Sequence, residues 1–418
     1  MNRFRALIIG NGKDQGKKNF IWNMIGSVIF AFASVVLFAA AQWTTGEYYA
    51  GIFSIAFTTG QQLLTIGYFE VRPFHATDTA GQYSFGEYLS ARVITCGAMA
   101  VVSVLYVLVS QKTGIKAAVI LMMCFYKLID GAADVFEGEF HRMGRLDISG
   151  KSMGFRTLIS GGVFIAAAAI SGNIVTACAA ACIAAAAAFI VFDIMVIGEF
   201  SRLKLSRSAG RIFRLLGDCS ALFMGSFLHL YICNAAKYAV DGAMSEEYVT
   251  FYTALYLPTS TINLFSGFVF KPLLTDMGNY VNSGSWKQFA SVVRRLMAGV
   301  VLLTAVCCAG AYLLGIPVLS LIFGLELSGY RTALVVLILG GGFNAAAMLL
   351  YYALTAMRSQ RLVLAGYAAA AAAAFALSGV LVKMYGIMGA AACYSLSMGV
   401  QVLAFAVCIV YSYKKKAT

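Results

Sequence analysis

The segment YKLIDGAADVFEGEFHR, residues 126–142, places a lysine and two aspartates directly after the apolar run IKAAVILMMCF. Lys127, Asp130 and Asp134 are separated by three and four residues, so on a helix they form one stripe along one face. Ionisable residues inside a membrane usually mark a functional site, because their burial in lipid is costly. The structural alternative is an ion pair between Lys127 and Asp130 within the helix, with Asp134 reaching towards water.

Composition places this stripe in a membrane. Of the 418 residues, 61% are hydrophobic and 12% are charged, and the mean hydropathy is +0.81. These values exclude an ordinary soluble domain. Apolar runs of about 20 residues, enough to cross about 30 Å of hydrocarbon, recur along the chain. We predict an all-α polytopic membrane protein with twelve spans.

The predicted spans are 19–41, 47–70, 87–110, 116–138, 152–171, 174–198, 212–236, 247–273, 289–314, 331–356, 362–383 and 387–411. Residues 315–329 are apolar but too short to span, and we predict an interfacial or re-entrant segment there.

The net charge of +13 reflects topology. Of the 31 lysines and arginines, 25 fall in one set of alternate loops together with both termini. This asymmetry follows the positive-inside rule, so we predict that both termini are cytosolic. The basic composition therefore does not indicate a nucleic-acid partner.

The chain contains a weak internal repeat. Five short matches occur in the same order in both halves: Gly26-Ser27 with Gly225-Ser226, Glu47-Tyr48 with Glu247-Tyr248, Arg72-Pro73 with Lys271-Pro272, Thr77-Asp78 with Thr275-Asp276, and RMGRL (142–146) with RSQRL (358–362). Each half has six spans, so both enter the membrane in the same direction. We predict two six-helix lobes, residues 1–208 and 209–418, that face each other across a cleft.

The repeat helps to interpret the charged stripe. In the second half, the residues that correspond to Lys127, Asp130 and Asp134 are Phe343, Ala346 and Leu350. A requirement of the repeated scaffold should appear in both halves, whereas this stripe appears in one. The asymmetry favours a site over a structural ion pair.

Other polar residues are weaker candidates. Arg72, Arg92 and Lys271 lie near the predicted inner mouth, where they either reflect topology or bind an anionic headgroup. A set of neutral amides either lines the cleft and binds sugar hydroxyls or joins helices by hydrogen bonds. These amides are Asn19, Asn23, Gln61, Gln62, Asn263 and Asn344. For Asp193 and Asp218, near span ends, we predict only capping or solvation.

No catalytic motif is present in the sequence. It has no P-loop, no HExxH, no GxSxG and no cysteine and histidine pairing at metal-ligand spacing. We therefore expect a transporter rather than an enzyme, without a metal or other cofactor. A coupling cation, Na⁺ or H⁺, remains open.

Two segments carry a family resemblance. FEVRPFHATDTAGQYSFGEYLSARVIT (69–95) and YKLIDGAADVFEGEFHRMGRLDISGKS (126–152) resemble Wzx-like polysaccharide flippases of the multidrug/oligosaccharidyl-lipid/polysaccharide (MOP) exporter superfamily. The resemblance implies a V-shaped, two-lobed transporter in the bacterial cytoplasmic membrane. Its implied function is to move undecaprenyl-diphosphate-linked oligosaccharide outwards by alternating access during surface polysaccharide synthesis. His75 and His141 depart from the glutamines expected at these positions in relatives.

The resemblance also implies roles for individual residues. Arg72, Arg92 and Lys127 would contact the diphosphate, while Asp130 and Asp134 would bind a coupling cation or form an ion pair that breaks during the cycle. The implied partners are the lipid-linked glycan, the bilayer and a polymerase or ligase of the glycan pathway, and we expect a monomer. Two other functions remain open, namely a cation-coupled multidrug (MATE-like) exporter and a non-transporting scaffold for glycan assembly.

Overall fold

The computed structural model describes residues 8–9, 14–78 and 80–417. Within these ranges, the description leaves out several side chains between 260 and 275 and the side chains of 415–417. The described residues form helices and no strand. The helices are α1 (Gln15–Thr45), α2 (Glu47–Tyr68), α3 (Val71–Thr77), α4 (Phe85–Val109), α5 (Gly114–Arg142), α6 (Leu146–Ser171), α7 (Ile174–Ile197), α8 (Ala209–Ala243), α9 (Glu246–Asn282), α10 (Trp286–Phe323), α11 (Arg331–Ala356) and α12 (Gln360–Ala417). Gly386, with φ 57° and ψ −133°, divides α12 into α12a (360–385) and α12b (387–417).

The twelve predicted spans each coincide with a helix, which confirms the all-α polytopic fold. Eight of the described helices are long and apolar enough to cross a membrane by length and composition. Residues 315–323 continue α10, and the interfacial or re-entrant placement of 315–329 stays a prediction. The helix passes Pro317, which lacks an N–H, after a π-helical turn at Ala311–Gly315.

The chain separates into two compact units, Met1–Phe227 (unit 1) and Leu228–Thr418 (unit 2). The lobe boundary between 208 and 209 stays a prediction. In unit 1, α1 packs on α6 and α2 packs on α5. The first contact requires glycine, since a Cβ on Gly150 would lie 2.3 Å from the carbonyl oxygen of Trp22. Small residues let membrane helices approach this closely.

Local signals explain how the helices around the site begin and end. Ser84 and Glu87 form a capping box that starts α4. Helix α2 ends at Tyr68, and the next two residues, Phe69 and Glu70, have φ values of 46° and 51°. This left-handed conformation is uncommon for residues other than glycine, and here it redirects the chain into the short helix α3. The repeat-related helix α9 continues without a break from Glu246 to Asn282.

Candidate functional site

Eight charged residues of unit 1 form one connected set of ion pairs, which we call the charge network. Its cations are Arg72, Arg92, Lys127 and Arg156, and its carboxylates are Asp130, Asp134, Glu137 and Asp193. Four positive and four negative groups balance within a region that is largely closed to solvent. This balance lowers the cost of burying so many charges among apolar helices.

Asp134, on α5, binds two arginines with its two carboxylate oxygens. Its Oδ1 lies 3.1 Å from Arg72 Nη1, and its Oδ2 accepts a hydrogen bond from Arg92 Nη2. Arg92, on α4, also donates through Nη1 to the Gly67 carbonyl, which accepts a 2.8 Å bond from Thr95 Oγ1 as well. Arg92 thus caps the last turn of α2, where carbonyls lack helical partners and a cation is favoured.

Arg72 lies on α3, directly after the left-handed pair that ends α2. Besides Asp134, its Nη1 contacts Glu137 Oε2 at 2.8 Å, and its Nη2 donates to Ser149 Oγ at 3.1 Å. Glu137 occupies the next position of the stripe on α5, three residues after Asp134. The geometry of α3 therefore places one guanidinium against two carboxylates of α5 and a hydroxyl of α6.

Arg156, on α6, is the most highly connected cation of the network. Its guanidinium contacts Asp130 Oδ1 at 3.3 Å, Glu137 Oε1 at 2.8 Å and Asp193 Oδ2 at 3.1 Å. Asp193 lies in a π-helical turn of α7, Ile190–Ile194, and accepts a 2.6 Å bond from Ser152 Oγ. The side chain of Asp193 is fully buried. The prediction of a capping or solvated role for Asp193 is therefore wrong.

Lys127 forms an ion pair with Asp130 within α5, as the structural alternative to a functional site predicts. Its Nζ lies 3.0 Å from Asp130 Oδ2, three residues later on α5. Three rings also surround the ammonium, with centroids at 4.5 Å for Phe57, 5.1 Å for Phe30 and 5.2 Å for Tyr126. Cation–π attraction and the carboxylate together stabilise the charged lysine. Asp130 in turn is shared between Lys127 and Arg156.

A cavity of about 400 Å³ opens onto the network. Arg72, Glu70, His141, Tyr68 and Met153 are among its lining residues. The Arg72 side chain is 31% exposed, whereas those of the other seven network members are 0% to 7% exposed. Asp134, Glu137 and Arg156 also line the cavity, and Arg72 is the most exposed of these four network members. Burial and the charge of Arg72 lower the pKa of His141, which keeps its ring neutral near pH 7.

A second cluster lies at the C-terminal end of α5. His75 Nε2 lies 2.8 Å from Glu139 Oε2, and Arg142 Nη2 lies 2.7 Å from Glu139 Oε1. Burial alone would raise the pKa of Glu139, but hydrogen bonds from His75, Arg142 and Ser201 outweigh it and lower the pKa to about 2. Burial also lowers the pKa of His75. A neutral imidazole therefore donates to an ionised carboxylate.

The structure brings together five of the eight predicted site residues, namely Arg72, Arg92, Lys127, Asp130 and Asp134. Gln61 is half-buried on α2 and makes none of the ion pairs that define the network. Asn263 and Lys271 belong to α9 in unit 2, and the side chain of Lys271 lies outside the described residues.

Three members of the network, Glu137, Arg156 and Asp193, are not among the site residues predicted from the sequence. Glu137 could have been found by extending the stripe, since it follows Asp134 by three residues on the same face.

Comparisons with known proteins identify the fold. No family model and no curated protein matches the sequence. Among solved structures, the chain is similar to an outward-facing multidrug resistance MATE family transporter of the MOP superfamily. The TM-score is 0.61 at 14% identity, covering 99% of this chain and 98% of that one. The eukaryotic MATE transporter AtDTX14 gives 0.58 at 14% identity, covering 96% and 97%.

A third similar structure is a MOP superfamily transporter from Pyrococcus furiosus. The TM-score is 0.56 at 13% identity, covering 99% of this chain and 98% of that one. Its description states that reverse polarity of its binding pocket suggests a different function. Together these similarities show that the chain has the MOP-type transporter fold.

Proposed function

We propose that this protein is a flippase that moves an undecaprenyl-diphosphate-linked oligosaccharide across the bacterial cytoplasmic membrane by alternating access. The observation that carries the proposal is the guanidinium of Arg72, whose side chain is 31% exposed in a cavity where its partners Asp134 and Glu137 are 5% and 3% exposed. Arginine is well suited to phosphate, because its planar fork can make two parallel hydrogen bonds. We infer that an anionic group binds at Arg72 in this cavity, which Glu70, Asp134 and Glu137 also line.

The connections of the network leave Arg72 available to such a ligand. Each carboxylate that contacts Arg72 has a second arginine: Asp134 is also bound by Arg92, and Glu137 by Arg156. Arg72 can thus turn towards a phosphate without leaving a buried carboxylate unpaired, an outcome that would otherwise cost several kcal/mol. By contrast, the side chains of Arg92 and Arg156 are each only 3% exposed, and each already binds carboxylate or carbonyl oxygens of the protein. We assign Arg72 to the diphosphate and these two arginines to positioning.

The identity of the ligand as a lipid-linked glycan rests on the family resemblance. The two segments that resemble Wzx-like flippases, 69–95 and 126–152, supply six of the eight network residues: Arg72, Arg92, Lys127, Asp130, Asp134 and Glu137. The MOP-type fold is compatible with this substrate, although a fold by itself does not determine function. The resemblance and the exposed guanidinium of Arg72 thus support the same class of ligand.

The test is leaflet-resolved translocation of labelled lipid-linked oligosaccharide in proteoliposomes. A hydrogen bond to a charged group contributes about 1.5–3 kcal/mol, so Arg72→Ala should slow translocation about 10- to 100-fold, and Arg72→Lys should retain part of the rate. Arg211→Ala is the matched control, since it removes an arginine ion pair with Glu87 that lies outside the cavity. Wild-type transport by Arg72→Ala would refute the role of Arg72.

Depletion of the protein in its native host tests the function itself. A flippase predicts that the lipid-linked intermediate accumulates on the cytosolic face of the membrane. If no intermediate accumulates there, the proposal fails.

A multidrug exporter is the second candidate, favoured by the similarity to MATE transporter structures. In that case Asp130 and Asp134 would serve a coupling cation. Drug resistance on expression that is lost in Asp130→Asn would support this alternative. A scaffold instead predicts that neutralising Lys127, Asp130 and Asp134 leaves polymer output unchanged.

A further inference from the structure

Glu70 is a carboxylate of the cavity that the charge network does not use. It lines the cavity together with Arg72, Tyr68 and Phe30. Its Oε1 accepts a 2.6 Å hydrogen bond from Ser226 Oγ of α8, and among the described residues it forms no ion pair. The four cations and four carboxylates of the network balance without it. Glu70 therefore adds to the cavity a carboxylate that no described cation pairs with.

The backbone that carries Glu70 is in an unfavourable conformation. Phe69 and Glu70 have φ values of 46° and 51°. This left-handed conformation is sterically unfavourable for residues other than glycine, and strain of this kind is found most often at active sites and ligand clamps. The Phe69 ring stacks on Phe223 of α8, with centroids 4.4 Å apart. The result of this turn is that Glu70 and Arg72 both line the cavity.

The internal repeat indicates that the scaffold does not require Glu70. The offset that pairs Arg72-Pro73 with Lys271-Pro272 pairs Glu70 with Val269. Helix α9 continues through that position without a break, whereas α2 ends before Glu70. The carboxylate and the left-handed turn thus occur at this position of the first half and not at its counterpart. As for the charged stripe, this asymmetry favours a role in ligand binding.

The chemistry of the cavity limits what Glu70 can bind. An ionised carboxylate only accepts hydrogen bonds, so its ligand must supply donors. The guanidiniums of Arg72 and Arg156 line the same cavity and repel a metal cation, and Glu70 itself repels a phosphate.

Sugar hydroxyls are uncharged donors, and their hydrogen bonds to a carboxylate are short and strong. Phe30 and Tyr68 supply aromatic rings, whose negative faces suit the C–H groups of a sugar ring.

We propose that Glu70 binds hydroxyl groups of the sugar nearest to the diphosphate, with that sugar packed against Phe30 or Tyr68. This inference rests on the proposed function, because it takes the diphosphate to be at Arg72. Charge sets the orientation of the ligand, since Arg72 attracts the diphosphate and Glu70 repels it. Glu70 thus distinguishes the glycosylated lipid from undecaprenyl diphosphate without a glycan.

The test measures the binding of two ligands to the purified full-length protein in detergent. One ligand is the lipid-linked oligosaccharide isolated from the native host, and the other is undecaprenyl diphosphate. Glu70→Gln keeps the size of the side chain and removes its charge, and a hydrogen bond to a charged group is about twice as strong as a neutral one. Binding of the oligosaccharide lipid should weaken about 10-fold. Binding of undecaprenyl diphosphate should not weaken, which also shows that the variant is folded.

Two other variants separate this inference from the proposed function. Arg72→Ala should weaken the binding of both ligands. Glu326→Gln should weaken neither, because Glu326 is exposed and does not line the cavity. Equal weakening of both ligands in Glu70→Gln, or wild-type binding of both, would overturn the assignment of Glu70 to the sugar and leave Arg72 as the diphosphate site. Wild-type binding of undecaprenyl diphosphate by Arg72→Ala would overturn the diphosphate site itself, and the inference with it.

Discussion

Arg156 is the side chain whose loss should cost this protein the most stability. Replacing it with methionine keeps much of its bulk but leaves three carboxylates without their shared cation. Asp130 keeps Lys127 and Glu137 keeps Arg72, whereas Asp193 keeps only the hydroxyl of Ser152. Breaking a buried ion pair by removing one partner costs about 3–5 kcal/mol. We expect a loss in this range for Arg156→Met.

Replacing the carboxylate partner Asp193 should cost less stability than replacing Arg156. In Asp193→Asn, the guanidinium of Arg156 still contacts Asp130 and Glu137, so no charge is left alone. We expect a loss of about 1–3 kcal/mol, the cost of weakening one buried hydrogen bond to a charged group. In the double variant, Arg156→Met with Asp193→Asn, the stranded carboxylate is gone. The double variant should therefore be more stable than Arg156→Met alone.

Thermal unfolding of the four proteins in one detergent, followed by tryptophan fluorescence and by monodispersity, measures this double-mutant cycle. Arg211→Ala is the control for loss of an exposed arginine, because its side chain is 52% exposed and such pairs contribute about 0–1 kcal/mol. Additive losses, with the double variant less stable than Arg156→Met, would show that Asp193 is not stabilised by Arg156 and would refute the network as drawn.

Three further outcomes are expected. Gly150→Ala should destabilise the protein by about 1–3 kcal/mol, since its Cβ would meet main-chain atoms of α1, while Gly162→Ala on the same helix should be neutral because its Cβ meets nothing within 4 Å. Gly386→Ala should cost about 1–3 kcal/mol, because φ of 57° with ψ of −133° suits only glycine. Burial lowers the pKa of His75, so as pH falls below about 6.5 the unfolded chain gains a proton that the folded chain does not, and thermal stability should fall. His75→Gln, which can still donate to Glu139, should flatten that dependence between pH 7 and 5.

Melting temperatures check all three. Equal loss in Gly150→Ala and Gly162→Ala would contradict the close approach of α1 and α6. Wild-type stability of Gly386→Ala would mean that the break in α12 tolerates a side chain. An unchanged pH dependence in His75→Gln would assign the acid sensitivity to other groups.

The sequence predicts the helices well and the site in part, for a physical reason. Lys127, Asp130 and Asp134 stand out because charge inside an apolar span has no other explanation than a partner or a function. Arg156 and Asp193 lie near span ends, where the positive-inside rule or capping accounts for any charge, so the sequence contains no signal that they are buried. The left-handed conformation of Phe69 and Glu70 also has no signal in the sequence, since neither residue is glycine and no proline adjoins them.

The internal repeat argues that the network serves more than the fold. In unit 1, α5 packs on α2; in unit 2, its counterpart α11 packs on α9. At the stripe positions α11 has Phe343, Ala346 and Leu350, and the last two are each 6% exposed. The same helix pairing is thus achieved in unit 2 with apolar side chains, which avoid the desolvation cost of eight buried charges. Since replacing buried ion pairs by apolar residues is often neutral or stabilising, the presence of the network in unit 1 alone supports the proposal that it serves binding or the transport cycle.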